Sequence, residues 1–402
     1  MTARLLYPCL IAVFAITSLA ACDGLTDPGV SPDPEDPVPE TRSVEGVPSG
    51  VAAIVGTFAA GPVDQAFLLE SWSEFEVYYG GLHLNHVASL HVRAFFENGG
   101  EEIWVARADN PSFHGLIGRE SDGTGMFSLD DANRFNTLLI PELFSMEEFA
   151  DRHYAAADAI DYATERDAMM LLDPPFGANS AFDMIEWVNH AEVDLRQSHA
   201  AAYFGRIQVE EYEGADEAHW IGASGAAAGL FAWSDREHGV WSVPAGNDAI
   251  VVGAVNMSPL ANHEIENMVQ NGINPLNFSS DNQIVLWGGR TLSDTEEFRY
   301  LNVQRLTLHL DALIRDELAW TAGETSEPAL WDAAREAAED VLHELWLDGA
   351  FQGSSANEAY FVQSNEQTHT NEDIEEGRLN LEVGYAAQRA AEFYIRHITI
   401  EL

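Results

Sequence analysis

The chain contains no lysine and few cations of any kind. Nineteen arginines stand against 66 Asp and Glu in 402 residues, for a formal net charge of -47 at pH 7. Because like charges repel, this balance excludes nucleic acid and anionic lipid headgroups as partners recognised by charge. It is typical of proteins from high-salt environments, where counterions screen the repulsion. The alternative is an acidic, highly soluble protein without that halophilic adaptation.

Cysteine is nearly absent as well, since only Cys9 and Cys22 occur. Residues 1–21 hold one cation, Arg4, then an apolar run and small residues, which is the pattern of an export signal peptide. The run is too short and too broken to span a bilayer. LAAC at Leu19–Cys22 resembles a bacterial lipobox, in which the leader is cleaved and the cysteine is lipidated. We therefore expect an exported lipoprotein anchored at Cys22, periplasmic or at the cell surface; an ordinary secretory leader is the alternative.

Residues 22–45 lack apolar clusters that could form a core. Five prolines and five acids occupy the fourteen positions of Asp27–Glu40. This composition favours extended, solvated backbone, so we interpret the segment as a linker.

Apolar runs and helical periodicities alternate from residue 46 to residue 286. The pattern predicts strands over Val51–Gly56, Ile103–Ala106, Thr137–Ile140, Ala168–Leu172, Tyr203–Val209 and Ala249–Val255, with helices between them, including Met146–Ala163 and Phe182–Leu195. Such alternation indicates an α/β layer structure with a mainly parallel sheet.

The pattern changes over residues 287–402. Two long amphipathic helices come first, the second opening at Pro328, and strands follow at Ala359–Val362, Leu379–Val383 and Glu392–Leu402. This order predicts a separate, smaller α+β domain.

Several phrases resemble the contractile tail sheath family of phages and related injection systems. They include GVPSGVAAIVGTFAAGPVDQA at Gly46–Ala66, LLDPP at Leu171–Pro175 and, in the C-terminal third, VLWGGRTLSD, FRYLNVQRL, LWLDGAFQG and EAYFVQSNEQTHTNEDIEEGRLNLEVGYAAQRAAEFYIR. The resemblance covers about Gly46 to Leu402. It implies a structural protein with a subtilisin-like middle region, homo-oligomeric rings or a helical sheath, and tail tube or baseplate proteins as partners. It also implies a virion or injection-system sheath location, in conflict with the export signal.

The chain departs from that family at its N-terminus. Members usually begin with an extended arm resembling YPGVYVEE that pairs with a neighbouring subunit, and here the leader and the acidic linker take its place. A monomeric, lipid-anchored binding module with a sheath fold is therefore the alternative to a polymerising subunit.

No catalytic residue, metal ligand or cofactor motif stands out. Ser224 lies among glycines, but Ala226 replaces the second glycine of a nucleophile elbow, so a hydrolase is disfavoured. His83, His86 and His91 lie close together in sequence and could suggest a metal site. His86 and His91 are five residues apart, however, and face different sides of a helix, which disfavours that site. We therefore expect no enzyme activity.

The last strand shows a change of apolar phase. Phe393 and Ile395 alternate in one phase, and Ile398, Ile400 and Leu402 in the other. A half-buried strand changes phase only at a bulge or with a change of partner. Together with the family resemblance, this predicts that Glu392–Arg396 completes the chain's own sheet. The inter-subunit strand, which would join a neighbour, is then His397, Ile398, Thr399, Ile400, Glu401 and Leu402; a bulge within one sheet is the alternative.

We predict that the mature protein begins at a lipidated Cys22. Mass spectrometry of the purified N-terminus should give a diacylated cysteine. An intact Met1, or a cleaved chain without lipid, would rule out the anchor.

Overall fold

The computed structural model describes residues 38, 39, 42, 46–83, 85–146, 149–209, 219–388 and 394–402, apart from the side chains of 149–151. Cys22, the leader, Glu392 and Phe393 lie outside the described residues. Within the expected 22–45 linker, Arg42 forms ion pairs with Glu70 (3.2 Å) and Glu74 (3.0 Å), so this part of the linker contacts the folded body. In the part of the chain that is described, no helix is both long and apolar enough to cross a bilayer.

The described residues form fourteen β-strands and eleven α-helices. The strands are β1 Ala52–Gly56, β2 Ala66–Leu69, β3 Ile103–Arg107, β4 Thr137–Leu139, β5 Met169–Leu172, β6 Ala200–Phe204, β7 Ile207–Val209, β8 Trp220–Ile221, β9 Ala254–Met257, β10 Ile273–Phe278, β11 Ile284–Leu286, β12 Tyr360–Gln363, β13 Arg378–Tyr385 and β14 Tyr394–Glu401. The α-helices are α1 Trp72–Tyr79, α2 Val87–Glu97, α3 Phe113–Leu116, α4 Phe149–Glu165, α5 Ala181–Val188, α6 Ser224–His238, α7 Asn262–Gln270, α8 Leu301–Glu317, α9 Pro328–Leu347, α10 Ala356–Ala359 and α11 Asn371–Glu375.

An eight-stranded sheet in the order β11-β10-β6-β5-β4-β1-β3-β2 forms the larger unit. Its six central strands are parallel, and the two edge strands, β2 and β11, run antiparallel to their neighbours. Apolar clusters cover both faces of the sheet, which accounts for the nearly unbroken apolar runs of its strands. The predicted α/β class with a mainly parallel sheet is confirmed.

Three of the predicted element boundaries are wrong. The single strand expected over Tyr203–Val209 is two strands in different sheets, because Gly205 between them has φ 116°, a conformation that ends a strand. The helix expected over Phe182–Leu195 ends at Val188 with Asn189 as its C-cap. The strand expected over Ala249–Val255 is instead β9, Ala254–Met257, preceded by an isolated bridge at Ile250.

The smaller unit is an antiparallel sheet, β12-β13-β14, backed by α8 and α9. Leu306, Leu310 and Ile314 of α8 share one apolar cluster with Leu381, Val383 and Ile398 of the sheet. The predicted order of two long helices followed by strands is therefore present.

A buried ion pair joins the two units. Arg305 of α8 donates to both carboxylate oxygens of Asp235 on α6, at 2.9 and 2.5 Å, and to the carbonyl of Ser49 at 3.2 Å. Both side chains are only 3% exposed, and the Arg305 guanidinium also stacks 4.5 Å from the Phe231 ring. Because each charge is desolvated, neither partner can be lost without leaving the other uncompensated.

We predict that Arg305→Met or Asp235→Leu alone lowers the free energy of unfolding by about 3–5 kcal/mol. The double variant Arg305→Met/Asp235→Leu should recover much of that loss, because no charge remains buried. Denaturant unfolding measures all three. Arg335→Met on α9 is the control, because Arg335 is 28% exposed and its ion pairs with Glu336 and Glu339 are partly solvated. A double variant as unstable as the sum of the singles would contradict this account.

Candidate functional site

The carboxyl ends of the parallel strands are where α/β sheets usually hold ligands. Four polar residues follow strands there: Thr57 after β1, Glu142 after β4, Asp173 after β5 and Arg206 after β6. Helices α2 and α6 pack over this edge of the sheet. An enzyme of this fold would place its reactive groups here.

Asp173, Ser224 and His91 form one hydrogen-bonded cluster at this edge. Ser224 begins α6, and its N–H and Oγ donate to the two oxygens of Asp173 at 2.9 and 2.6 Å. His91 Nδ1 lies 3.0 Å from Ser224 Oγ and accepts from the Gly225 N–H at 3.3 Å. The Ser224 hydroxyl therefore donates to the Asp173 carboxylate, which can only accept, while the roles in its contact with His91 Nδ1 are set by the imidazole tautomer.

This cluster has the residue types of a hydrolytic triad but not its hydrogen-bond pattern. In a triad, histidine takes the serine proton and the aspartate holds the histidine. Here Asp173 binds the serine directly, and its closest approach to His91 Nδ1 is 3.9 Å. Burial lowers the pKa of His91, with only partial compensation from Asp173. The three residues are 1–3% exposed, so the arrangement joins β5, α2 and α6 and offers no substrate access.

The fold separates His91 from the other two histidines considered for a metal site. His86 Nδ1 contacts Thr57 Oγ1 at 2.9 Å, whereas His91 belongs to the Ser224 cluster. The His83 ring packs against the His86 ring at an angle of 43°, with ring centroids 4.8 Å apart. Within the described ranges, no group of three or more His, Cys, Asp or Glu side chains is arranged to hold a metal ion.

Glu142 is the second buried acid at this edge. Its Oε1 accepts from the N–H and hydroxyl of Thr57, both at 3.1 Å, and from the Ala88 N–H in the first turn of α2 at 3.3 Å. Its Oε2 is buried without a hydrogen-bond partner among the described residues. Burial raises the pKa of Glu142 to about 7 despite these donors. The side chain caps α2 and ties it to β1 and β4.

A different kind of site lies at the free edge of the C-terminal sheet. β14 pairs with β13 over eight residue pairs without a register shift, from Arg378 opposite Glu401 to Tyr385 opposite Tyr394. No other described strand pairs with the far side of β14. An unpaired strand edge presents backbone donors and acceptors to another chain.

The hydrogen bonds show which backbone groups face that edge. Leu402 N–H donates to the Gly377 carbonyl, so this pair bonds across the ladder. In an antiparallel ladder bonded and non-bonded pairs alternate, and Thr399 opposite Asn380 is therefore a non-bonded pair. Asn380 accordingly donates its N–H to His369 Nε2 and accepts from Ser364 Oγ, away from β14. The N–H and C=O groups of Ile395, His397, Thr399 and Glu401 thus point to the free edge.

The structure corrects the expected departure of His397–Leu402 from the chain's own sheet. Residues His397 to Glu401 pair with β13, and Leu402 bonds to Gly377. The apolar phase does not change within the described strand either: Tyr394 and Ile398 are buried, while Ile395 is 46% exposed. There is accordingly no bulge between Tyr394 and Glu401. Ile395 is an apolar residue on the outer face.

The inward position between Tyr394 and Ile398 belongs to a charged residue. Arg396 donates to Asp311 of α8 at 2.6 Å, and its guanidinium lies 5.9 Å from the Phe298 ring. Burial raises the pKa of Asp311, and the bond from Arg396 offsets part of this effect. The sequence pattern missed this pair because an arginine between apolar residues looks like a solvent-facing position.

Comparison with known proteins identifies the fold. The family model "Phage tail sheath protein central domain" matches residues 158–292. A putative prophage major tail sheath protein of Pseudomonas aeruginosa (strain UCBPP-PA14) is 32% identical over 96 residues, which is 23% of this chain. That match spans a quarter of the relative's length, 25%.

Solved structures match over nearly the whole chain. The anti-feeding prophage helical sheath in the contracted state has 24% identity and a TM-score of 0.68, covering 92% of this chain and 98% of that one. The sheath complex of an extracellular contractile injection system, PVC, has 22% identity and a TM-score of 0.67, covering 96% and 99%. A chain of the anti-feeding prophage baseplate has 23% identity and a TM-score of 0.69, covering 94% and 99%. The resemblance to the contractile tail sheath family is confirmed, and the chain has the sheath fold.

We predict that Glu142 makes stability depend on pH. The pKa of Glu142 is raised in the folded state, so the folded protein holds this proton more tightly than the unfolded chain does. The resulting stabilisation of the fold is complete below the ordinary pKa near 4.5 and is lost as pH rises through about 7. Glu142→Gln should flatten the unfolding free energy between pH 5 and pH 8 and be more stable than the natural protein at pH 8 by about 1–3 kcal/mol. Denaturant unfolding across that range measures it. Glu336→Gln on α9 is the control, and an unchanged slope in Glu142→Gln would refute the assignment.

Proposed function

We propose that the chain is a structural subunit of a sheath-like assembly and joins other copies of itself by strand addition at the free edge of β14. The observation that carries the proposal is the row of outward backbone groups at Ile395, His397, Thr399 and Glu401. The matched structures come from a helical sheath, a sheath complex and a baseplate, which supports a role in such an assembly.

In this proposal His397–Leu402 keeps its place at the inter-subunit contact but changes its role. It does not leave the sheet; it offers the edge to which a neighbour's strand is added. Main-chain hydrogen bonds would give the contact its affinity, and the side chains on either face would select the register. Ile395 on the outer face supplies apolar area next to the edge.

A monomeric, membrane-tethered binding module remains the second candidate, and one observation favours it. Ile398 is 1% exposed within the chain's own C-terminal core, so this unit folds without a strand from another subunit. The mass of the protein in solution separates the two functions: rings or filaments support assembly, and a single folded body supports the module.

The remaining partners follow from the sequence and the family resemblance. We propose tail tube or baseplate proteins as further partners, and a membrane tether through a lipidated Cys22. Nucleic acid is disfavoured by the charge of -47. We propose a structural role rather than an enzymatic one, because the polar clusters at the carboxyl edge of the main sheet are buried and satisfied mainly by one another.

Net charge opposes any self-association of this chain. Copies that each carry about -47 repel one another, and the range of that repulsion shrinks from about 10 Å at 0.1 M salt to about 3 Å at 1 M. Assembly through backbone hydrogen bonds and apolar contacts should therefore strengthen with salt, whereas assembly through ion pairs would weaken.

We predict that His397→Pro blocks assembly and leaves the monomer folded. The His397 N–H points away from β13, so proline removes a donor from the free edge without removing a bond of the β13–β14 ladder. His397→Ala keeps that N–H and is the matched control. Light scattering at 0.1 and 1 M salt should show association in the natural protein and in His397→Ala that increases with salt, and association weaker by about tenfold or more in His397→Pro.

Thermal melting accompanies the scattering to show that both variants are folded. Equal assembly of His397→Pro and His397→Ala would reject the β14 edge as the contact. Dissociation of the assembly by added salt would show that ion pairs dominate it. A natural protein that stays monomeric at 1 M salt would favour the tethered module.

A further inference from the structure

One side chain already occupies the free edge of β14. Arg315 of α8 donates from Nη1 to the carbonyl of Thr399 at 3.0 Å. That carbonyl is one of the outward acceptors, because Thr399 and Asn380 form a non-bonded pair of the ladder. An incoming strand would need the same acceptor.

Arg315 also lines a cleft of about 220 Å³ between α8 and the turns that precede β1, β4 and β5, and Asp167 lines the same cleft. Arg315 and Arg396 lower the pKa of Asp167, against the larger effect of burial, which raises it. A guanidinium that left Thr399 would therefore find a carboxylate within the cleft.

Natural sheets protect unpaired edges with charged side chains, which stops the edges of identical molecules from joining. This chain has only 19 cations in 402 residues, and one of them is bound at this edge. An arginine suits the task because its several donors can bind a carbonyl and a carboxylate in turn.

We propose that Arg315 is a removable cap on the β14 edge: bound to Thr399 it slows strand addition, and it is released toward Asp167 when a neighbour's strand arrives. The proposal rests on the proposed function and adds the regulation of the same edge. Removal of the cap should speed strand addition, and removal of the release partner should slow it.

The test uses the full chain and a fluorescent peptide with the sequence of Tyr394–Leu402 as the probe strand. Fluorescence anisotropy gives its association rate. Arg315→Met, which keeps an unbranched side chain, should bind the peptide two- to five-fold faster than the natural protein. Arg315→Lys, which keeps a donor, should remain close to the natural rate. Arg335→Met on α9 removes an arginine away from the edge and should change nothing.

Two further measurements keep the result clear if Arg315→Met is poorly folded. Asp167→Asn keeps a residue type that tolerates the φ of 52° at this position and should slow peptide binding about twofold. The ¹³C shift of the Thr399 carbonyl should change in Arg315→Met and not in Arg335→Met, which reports the cap without any association.

The outcomes separate the two proposals. Equal peptide rates for Arg315→Met and the natural protein, with both binding the peptide, would overturn the cap and leave strand addition standing. Absence of peptide binding in every variant, together with a changed Thr399 shift in Arg315→Met, would overturn strand addition and with it the regulatory role of Arg315.

Discussion

The register of β14 is held by one charged contact, the bond from Arg396 to Asp311, together with the burial of Tyr394 and Ile398 on the same face. A slip of one residue in a strand exchanges its two faces, so the inward position of Arg396 also directs Ile398 into the core. The same alternation decides which backbone groups bond to β13 and which face outward. The ion pair and the buried side chains of this face therefore fix both what the C-terminal core buries and which backbone groups lie at the free edge.

The scarcity of cations makes their placement informative. In a chain of charge -47, an arginine at the surface would have many acidic neighbours. Several arginines instead bind groups inside the molecule. Arg305 joins α8 to α6, Arg206 donates to the carbonyls of Pro174 and Pro175 beside the Asp173 cluster, and Arg396 orients β14. The Arg305 pair is shielded from solvent and the Arg396 pair is partly shielded, so added salt would weaken them less than fully exposed pairs. Internal docking can then persist while surface repulsion is screened.

Sequence patterns predicted the parallel sheet well because its strands are buried on both faces and appear as apolar runs, as in Met169–Leu172. They failed where the position of a side chain depends on a partner far away in the sequence. The inward position of Arg396 depends on Asp311, 85 residues earlier, and the serine cluster brings together His91 and Ser224 across 133 residues. Local periodicity carries no information about such partners. The end of β6 at Gly205 could have been predicted from the sequence, since a glycine inside a strand pattern often marks a bend.

A subunit that completes its own sheet and still leaves one edge open faces two opposing demands. In the proposed assembly, the core around Ile398 can form before a neighbour arrives, because the residues of that cluster all belong to one chain. The open edge must then distinguish the intended strand from the many other strands in a crowded solution, and an uncapped edge joins strands with little selectivity. In the proposed assembly, a weak cap such as the single bond from Arg315 to Thr399 would meet both demands. Displacing it costs one hydrogen bond for every partner, which a strand that gains several ladder bonds offsets and a contact that gains only one does not. Under this proposal, selectivity at the edge follows from the number of hydrogen bonds that a partner can form.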